Sequence, residues 1–220
     1  MEPNSDETCI DALANDVKTK ITCMYENGYG SSPFLMQIAL TLAYNGYKIV
    51  ILSKDKFDMQ ANLNCIQGPP APPIHPESAK NITFLHKILS HETLLEWLFS
   101  LSNKTTSLAV LMIDKVDQYF SDINVAALVL AVLRHTVNTY DIKLILSISQ
   151  AGLKYSSLVD SILYPNKILR TGWNDKCVEI RDTSEKLVLE YEVLNEQIKL
   201  NQVMSEEKGV VVHPVPETNQ

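Results

Sequence analysis

The sequence has no excess of positive charge, no long apolar run and few cysteines. Its 220 residues carry a formal net charge of -7, so no global basic field draws nucleic acid or anionic membrane to the chain by itself. No apolar stretch reaches the roughly 20 residues that a membrane helix needs. The acidic N-terminal stretch predicts no signal peptide. These absences favour a globular protein and predict no membrane contact.

Metal-binding and disulfide patterns are absent as well. The four cysteines are far apart and match neither a zinc motif nor a small disulfide scaffold, which favours reduced thiols in the cytosol or nucleus. The five histidines do not have ligand spacing either.

What is present is an ordinary globular balance, with 45% hydrophobic and 20% charged residues. The length fits one domain. We predict a flexible acidic tail over residues 1–18, one core domain over residues 19–203 and a flexible tail over residues 204–220.

The first part of the core has the pattern of a βαβ unit. The apolar run "KITCMYE" suits a buried strand and leads into a glycine pair. A helix should follow, with Ser32 as its N-cap and Pro33 as its first helical residue, and Asn45 and Gly46 mark its end. The β-branched run "YKIVILS" is a second strand, and this order predicts a parallel crossover.

The rest of the core continues the alternation. Strands are predicted at "ITFLHKIL", "SLAVLMID" and "IKLILSISQ", and helices at "SHETLLEWLFSLS" and "NVAALVLAVLRHTVNTY". The proline-rich residues 64–81 are predicted to be a loop. After Lys167 the runs become strands without helices, typical of antiparallel strands that finish one sheet edge. The fold class is therefore α/β, a mainly parallel sheet flanked by helices with C-terminal antiparallel strands. In the helix predicted at "SHETLLEWLFSLS", the buried face should consist of Leu94, Leu95, Leu98 and Phe99.

The turn between the first strand and the first helix is similar to a phosphate-binding loop. A Walker A loop reads G-x-x-x-x-G-K-[ST], and its backbone N–H groups and lysine hold phosphates. In "YENGYGSS", Gly28 and Gly30 supply the glycines, Tyr25 stands at the first glycine position, Ser31 at the lysine position and Ser32 at the Ser/Thr position. The alternative is a tight strand-to-helix turn that uses glycine for backbone freedom alone.

Two further polar residues follow buried strands. Asp114 ends an apolar strand in the manner of a Walker B carboxylate, which would hold Mg²⁺ beside the hydroxyl of Ser32. The alternatives are that Asp114 only starts a loop or that Asp117 takes this role. Gln150 ends the strand predicted at "IKLILSISQ". There it would either sense a γ-phosphate or be an ordinary surface turn residue. The predicted site is thus a degenerate nucleotide site that takes ATP and Mg²⁺, or no cofactor.

In the order of these motifs and the C-terminal "KLVLEYEVLN", the chain resembles the RecA-like recombinase paralogues. The closest likeness is to the small subunit that partners a SWIM-type zinc-finger protein in Shu complexes. The resemblance covers about residues 20–203. It implies a RecA-like P-loop core and a nuclear role in homologous recombination, with a SWIM-type partner, a RecA-like recombinase, and single-stranded DNA bound mainly through the complex. It also implies a subunit that promotes or stabilises recombinase filaments.

The chain departs from the family pattern at Tyr25 and Ser31. Without the lysine, the charge that stabilises a transferring phosphoryl group is missing, which predicts a pseudo-ATPase without catalytic residues. An active DNA-stimulated ATPase with an atypical loop, and an unrelated α/β scaffold protein, remain the alternatives. Asp55 is the one candidate for a catalytic acid. Lysines that would replace the missing charge are Lys54, Lys56 and Lys115.

Overall fold

One mixed sheet of eleven strands organises the part of the chain that the structure describes. The structure is a computed structural model that describes residues 20–27, 31–54, 66–67, 76–101, 108–174, 177–182, 187–194, 197–204 and 210–211. The strands are β1 (Ile21–Glu26), β2 (Ile49–Leu52), β3 (Ile66–Gln67), β4 (Ile82–Leu85), β5 (Val110–Ile113), β6 (Lys143–Ile148), β7 (Lys167–Asn174), β8 (Cys177–Asp182), β9 (Leu187–Leu194), β10 (Gln197–Met204) and β11 (Val210–Val211).

Helices connect the strands from β1 to β7. The α-helices are α1 (Ser32–Tyr44), α2 (Pro76–Ala79), α3 (His91–Ser100), α4 (Ile123–Tyr140) and α5 (Ser156–Leu163), and two 3₁₀ helices span Val116–Tyr119 and Gln150–Tyr155. Among the described residues, no helix combines the length and apolar character that crossing a membrane requires.

The sheet has a parallel part and an antiparallel part. Its spatial order is β11-β10-β9-β8-β7-β1-β6-β5-β2-β4, and β3 pairs with β10. Strands β7, β1, β6, β5, β2 and β4 run parallel to their neighbours in that group, whereas β8, β9, β10 and β11 continue from β7 in antiparallel pairs. This arrangement confirms the predicted fold class.

Two hydrophobic clusters cover the two faces of the sheet. Helix α1 contributes to one cluster, and α3, α4 and α5 contribute to the other. Strand β1 shows the division directly, since Met24 lies in the first cluster while Cys23 and Tyr25 lie in the second. Successive side chains of a strand point to opposite faces, so a strand covered on both faces is apolar throughout. This is why the parallel strands read as continuous apolar runs.

Three local predictions were wrong in part. The proline-rich stretch predicted as loop contains β3 and the short helix α2, which begins at Pro76, because proline suits the first turn of a helix. Phe99 is 61% exposed, since the buried face of α3 is a narrow stripe of Leu94 and Leu98 one turn apart. The N-cap of α1 is Ser31 rather than Ser32. The division into tails and core stays a prediction, although β11 lies within the segment predicted as a C-terminal tail.

Candidate functional site

The predicted site lies at the carboxyl edge of the parallel part of the sheet. Strand β1 has β6 as one neighbour, and β6 in turn pairs with β5. Parallel strands end at the same edge, which is where ligands bind in open α/β sheets. Helix α1 begins at Ser32 beside this edge. Gly28 and Gly30, the predicted glycines of the loop, lie outside the described residues.

The structure brings Ser32 and Asp114 into direct contact. The Ser32 hydroxyl donates to Oδ2 of Asp114 at 2.8 Å. The hydroxyl of Ser147 on β6 donates to Oδ1 of the same carboxylate, also at 2.8 Å, and accepts the backbone N–H of Lys115 at 2.7 Å. Asp114 is 3% exposed. The carboxylate thus joins α1, β5 and β6, and Ser32 serves it instead of capping the helix.

The residue at the lysine position has a different partner. Ser31 is fully buried, and its backbone N–H and its hydroxyl both donate to Oε1 of Glu26, at 2.7 and 2.6 Å. Glu26 ends β1 and is itself 6% exposed. A carboxylate therefore lies against the start of α1, where a Walker A loop carries its positive charge.

Tyr25, at the first glycine position, belongs to strand β1 and not to a loop. Its hydroxyl donates to Oδ1 of Asp160 on α5 at 2.5 Å. Burial, and then the hydrogen bond to Asp160, raise the pKa of Tyr25 well above its ordinary value. The tyrosine is a packing residue between the sheet and α5, which explains its departure from glycine.

The two aspartates after β5 have separate roles. Asp117 accepts the backbone N–H of Ser149 at 2.7 Å and the Ser149 hydroxyl at 2.6 Å. It therefore joins the segment after β5 to the segment after β6, whereas Asp114 is the carboxylate that meets Ser32. Gln150 follows Ser149 as the first residue of a 3₁₀ helix and is exposed at the sheet edge.

The structure describes two of the three lysines proposed to replace the missing charge. Lys54 donates from Nζ to the backbone carbonyl of Gln118 at 2.7 Å, and its Nζ lies 4.9 Å from the ring centroid of Tyr119. Burial raises the pKa of Tyr119 to about 12, and the negative charge of Asp114 adds to this effect. Lys54 thus contacts the 3₁₀ helix after β5, and Lys115 contributes its backbone N–H to Ser147. Lys56 and Asp55, the predicted acid, lie outside the described residues.

The residues of this site suit the metal of a Mg²⁺–nucleotide complex better than its phosphates. A serine hydroxyl beside a carboxylate is a ligand set that Mg²⁺ accepts, so Ser32 and Asp114 fit the metal. The phosphate half does not fit, because the N–H group of Ser31 and its hydroxyl are already bonded to the carboxylate of Glu26. Within the described ranges, no three His, Cys, Asp or Glu residues cluster as a metal site without nucleotide.

Comparison with solved structures identifies the fold. A solved ATPase domain matches with a TM-score of 0.57 and 11% identity, covering 81% of this chain and 83% of that one. A DnaB-like replicative helicase, solved to show its interactions with primase, matches with a TM-score of 0.57 and 11% identity, covering 84% of this chain and 58% of that one. The chain therefore has the RecA-like fold of P-loop ATPase domains.

The likeness extends to fold alone. These two are among 317 solved chains that match, so the fold by itself does not select one activity. No protein-family model matches the sequence, and no curated protein matches it.

Sequence reasoning missed three residues of this edge: Glu26, Ser147 and Ser149. A signal for each was present. Glu26 ends an apolar strand, as Asp114 does, and the two serines alternate in "LILSIS", which places both on the same face of the strand end. What the sequence did not contain was the partner of each side chain.

Proposed function

We propose that this chain is a non-hydrolysing RecA-like subunit of a Shu-type complex, which promotes or stabilises recombinase filaments on single-stranded DNA in homologous recombination. The observation that carries the proposal is the buried contact between Ser31 and Glu26 at the lysine position. Phosphoryl transfer depends on positive charge around the transferring group, and here the residue at the lysine position is instead bonded to a carboxylate.

The proposal includes a nuclear location and two protein partners, a SWIM-type zinc-finger protein and a RecA-like recombinase. It also includes contact with single-stranded DNA mainly through the complex. The net charge of -7 supports this indirect route, since neutralisation of phosphates supplies most of such affinity. The isolated chain should bind single-stranded DNA more weakly than about 1 μM at physiological salt. Tighter binding would contradict the indirect route.

Helix α4 supports a protein contact. The helix is rich in apolar residues, and burial within the chain explains most of them. Ala126, Val129 and Leu130 are fully buried, and the last two belong to the hydrophobic cluster on this face of the sheet. Two large side chains of the helix are not covered: Ile123 is 61% and Leu128 49% exposed. Hydrophobic burial at an interface needs no nucleotide, so we propose the side of α4 around Leu128 as part of the partner contact.

Hydrolysis is tested by phosphate release from ATP and Mg²⁺, with and without single-stranded DNA. We expect no turnover above background for the purified chain. The matched control is Asp114→Ala, which removes the carboxylate beside Ser32. A rate of about one per minute that this substitution abolishes would favour the alternative, an active ATPase, for which the Ser32–Asp114 contact is the supporting observation.

The partner contact is tested by co-expression with a SWIM-type protein, followed by size-exclusion chromatography with light scattering. We expect a heterodimer and a higher yield of soluble chain. Leu128→Asp should prevent the heterodimer without unfolding the chain. Asn138→Asp, the same charge on an exposed position of the same helix, is the control and should leave it intact. A monomer that ignores the partner would refute the proposal in favour of an unrelated α/β scaffold.

A further inference from the structure

We propose that the carboxylate of Glu26 takes the place of a bound phosphate at the start of α1 and excludes nucleotide from this helix N-terminus. This inference deepens the proposed function and rests on its claim that the site does not hydrolyse ATP. It adds to the absent lysine a second reason, within the chain itself, why the site would not hydrolyse ATP. It also assigns a role to Glu26, which occupies a variable position of the Walker A pattern.

The geometry of the contact is that of an anion on a helix N-terminus. The first N–H groups of a helix lack partners within the helix, and they attract phosphate or carboxylate groups. At α1, the N–H of the N-cap residue Ser31 donates to Oε1 of Glu26 at 2.7 Å, and the Ser31 hydroxyl donates to the same oxygen at 2.6 Å. Short bonds of this kind to a charged acceptor are strong. The chain supplies an anion for its own helix.

The backbone of Glu26 is held in place by pairing with strand β7. Glu26 is paired with Thr171 of β7 as the last residue of β1. The N–H of the next residue, Asn27, donates to the Thr171 backbone carbonyl at 3.1 Å, and the Thr171 hydroxyl lies 3.3 Å from the same nitrogen. Sheet pairing therefore fixes the backbone from which the carboxylate reaches Ser31. Withdrawing the carboxylate would leave two donors of a buried residue unsatisfied, which is costly.

A nucleotide that approached this loop would meet a like charge. Glu26 is 6% exposed, and charges in such a buried setting are screened less than at the surface. Its charge and the phosphate charges would repel one another, and no lysine stands at the motif position to offset this. Like-charge contact in an interface costs enough to lower affinity on the order of 100-fold.

The test is equilibrium binding of a fluorescent ATP analogue with Mg²⁺ to the full chain and to variants. Glu26→Gln is the main variant, because its amide oxygen can still accept both bonds from Ser31 while the charge is removed. Glu96→Gln is the matched control, since it makes the same change on an exposed position of α3. Thermal denaturation of each variant establishes that it is folded.

We expect the wild-type chain and Glu96→Gln to bind more weakly than about 1 mM, and Glu26→Gln to bind at least about tenfold more tightly than the wild type. Ser31→Lys alone should gain little, because the new ammonium group would pair with Glu26, while Glu26→Gln combined with Ser31→Lys should bind most tightly.

Three results would overturn the inference. In the first, Glu26→Gln folds and binds no better than the wild type. In the second, the wild-type chain binds tightly and Glu26→Gln weakens it, which would make Glu26 part of a working site. In the third, Ser31→Lys alone binds as tightly as the double variant. The readout needs neither turnover nor a partner, so failure here is separable from failure of the heterodimer or phosphate-release experiments.

Discussion

Replacing Tyr25 by phenylalanine removes a single hydroxyl from a buried contact, and its effect can be worked out from the structure. The Tyr25 hydroxyl donates to Oδ1 of Asp160 at 2.5 Å, and Tyr25 is only 4% exposed. A hydrogen bond to a charged group contributes about 1.5–3 kcal/mol. We therefore expect Tyr25→Phe to lower the free energy of unfolding by about 2 kcal/mol at neutral pH, and the Tm by about 4–8 °C.

The same contact predicts how this difference depends on pH. The pKa of Tyr25 in the folded chain is raised above its unfolded value of 10.0 by burial and by the bond to Asp160. Its stabilising contribution is therefore complete below about pH 10 and is lost as the pH rises, because only the unfolded chain releases the proton. Well above about pH 10 the loss approaches about 1.4 kcal/mol per pH unit. Phenylalanine has no proton to lose, so the gap between wild type and Tyr25→Phe should narrow by about 1 kcal/mol between about pH 10 and 11.

Urea unfolding followed by circular dichroism, from about pH 7 to about pH 11, measures both effects. The control is Tyr44→Phe, since Tyr44 is 58% exposed on α1. Removing its hydroxyl should change the free energy of unfolding by less than about 0.5 kcal/mol. A cost below about 0.5 kcal/mol for Tyr25→Phe at neutral pH, or stability curves that stay parallel at high pH, would refute the reasoning.

Three further predictions concern buried contacts. Burial raises the pKa of the Cys23 thiol, so iodoacetamide should label this cysteine only after urea unfolding, as peptide mass mapping would show. Gly152→Ala should cost about 1–3 kcal/mol, because a Cβ there would clash with the side chain of Asp117. Gly172→Ala, whose Cβ would meet nothing within 4 Å, should be nearly neutral in thermal denaturation. Ser147→Ala should cost about 2 kcal/mol in urea unfolding, since it removes a hydrogen bond to the Asp114 carboxylate and the acceptor of the Lys115 backbone N–H.

The order of strands and helices could be predicted because burial on both faces leaves a strong signal. Strands such as β5 and β6 are apolar along nearly their whole length, and the helices between them have apolar stripes at helical spacing. The proline-rich stretch gave the wrong result because β3 is only a two-residue strand, Ile66–Gln67, held by pairing with β10. No local pattern encodes a partner that is more than a hundred residues away. The prediction that Phe99 is buried was wrong for a related reason, since the width of the buried stripe on a helix depends on the elements that pack against it.

The candidate site divides in the same way. The proximity of Ser32 and Asp114 follows from topology, because parallel strands end at one edge and α1 starts there. The partner of Ser31 does not follow from topology. It depends on the direction in which the Glu26 side chain turns after leaving β1, and neither periodicity nor motif spacing specifies that direction. The choice between Asp114 and Asp117 was open for the same reason. In the structure Asp114 accepts from Ser32 and Ser147, whereas Asp117 accepts from Ser149.

The Ser32–Asp114 contact is therefore not by itself evidence that Mg²⁺ binds. The Asp114 carboxylate accepts one hydroxyl from α1 and another from β6, and the second hydroxyl also holds the N–H of Lys115. A buried carboxylate needs such donors to be tolerated, so this network stabilises the junction of three elements whether or not a metal is present. The lysine position has no comparable structural demand for positive charge, since Glu26 satisfies the donors of Ser31 there. A chain that stopped using nucleotide would keep the first group of contacts for folding and be free to change the second, and this is the combination that the site contains.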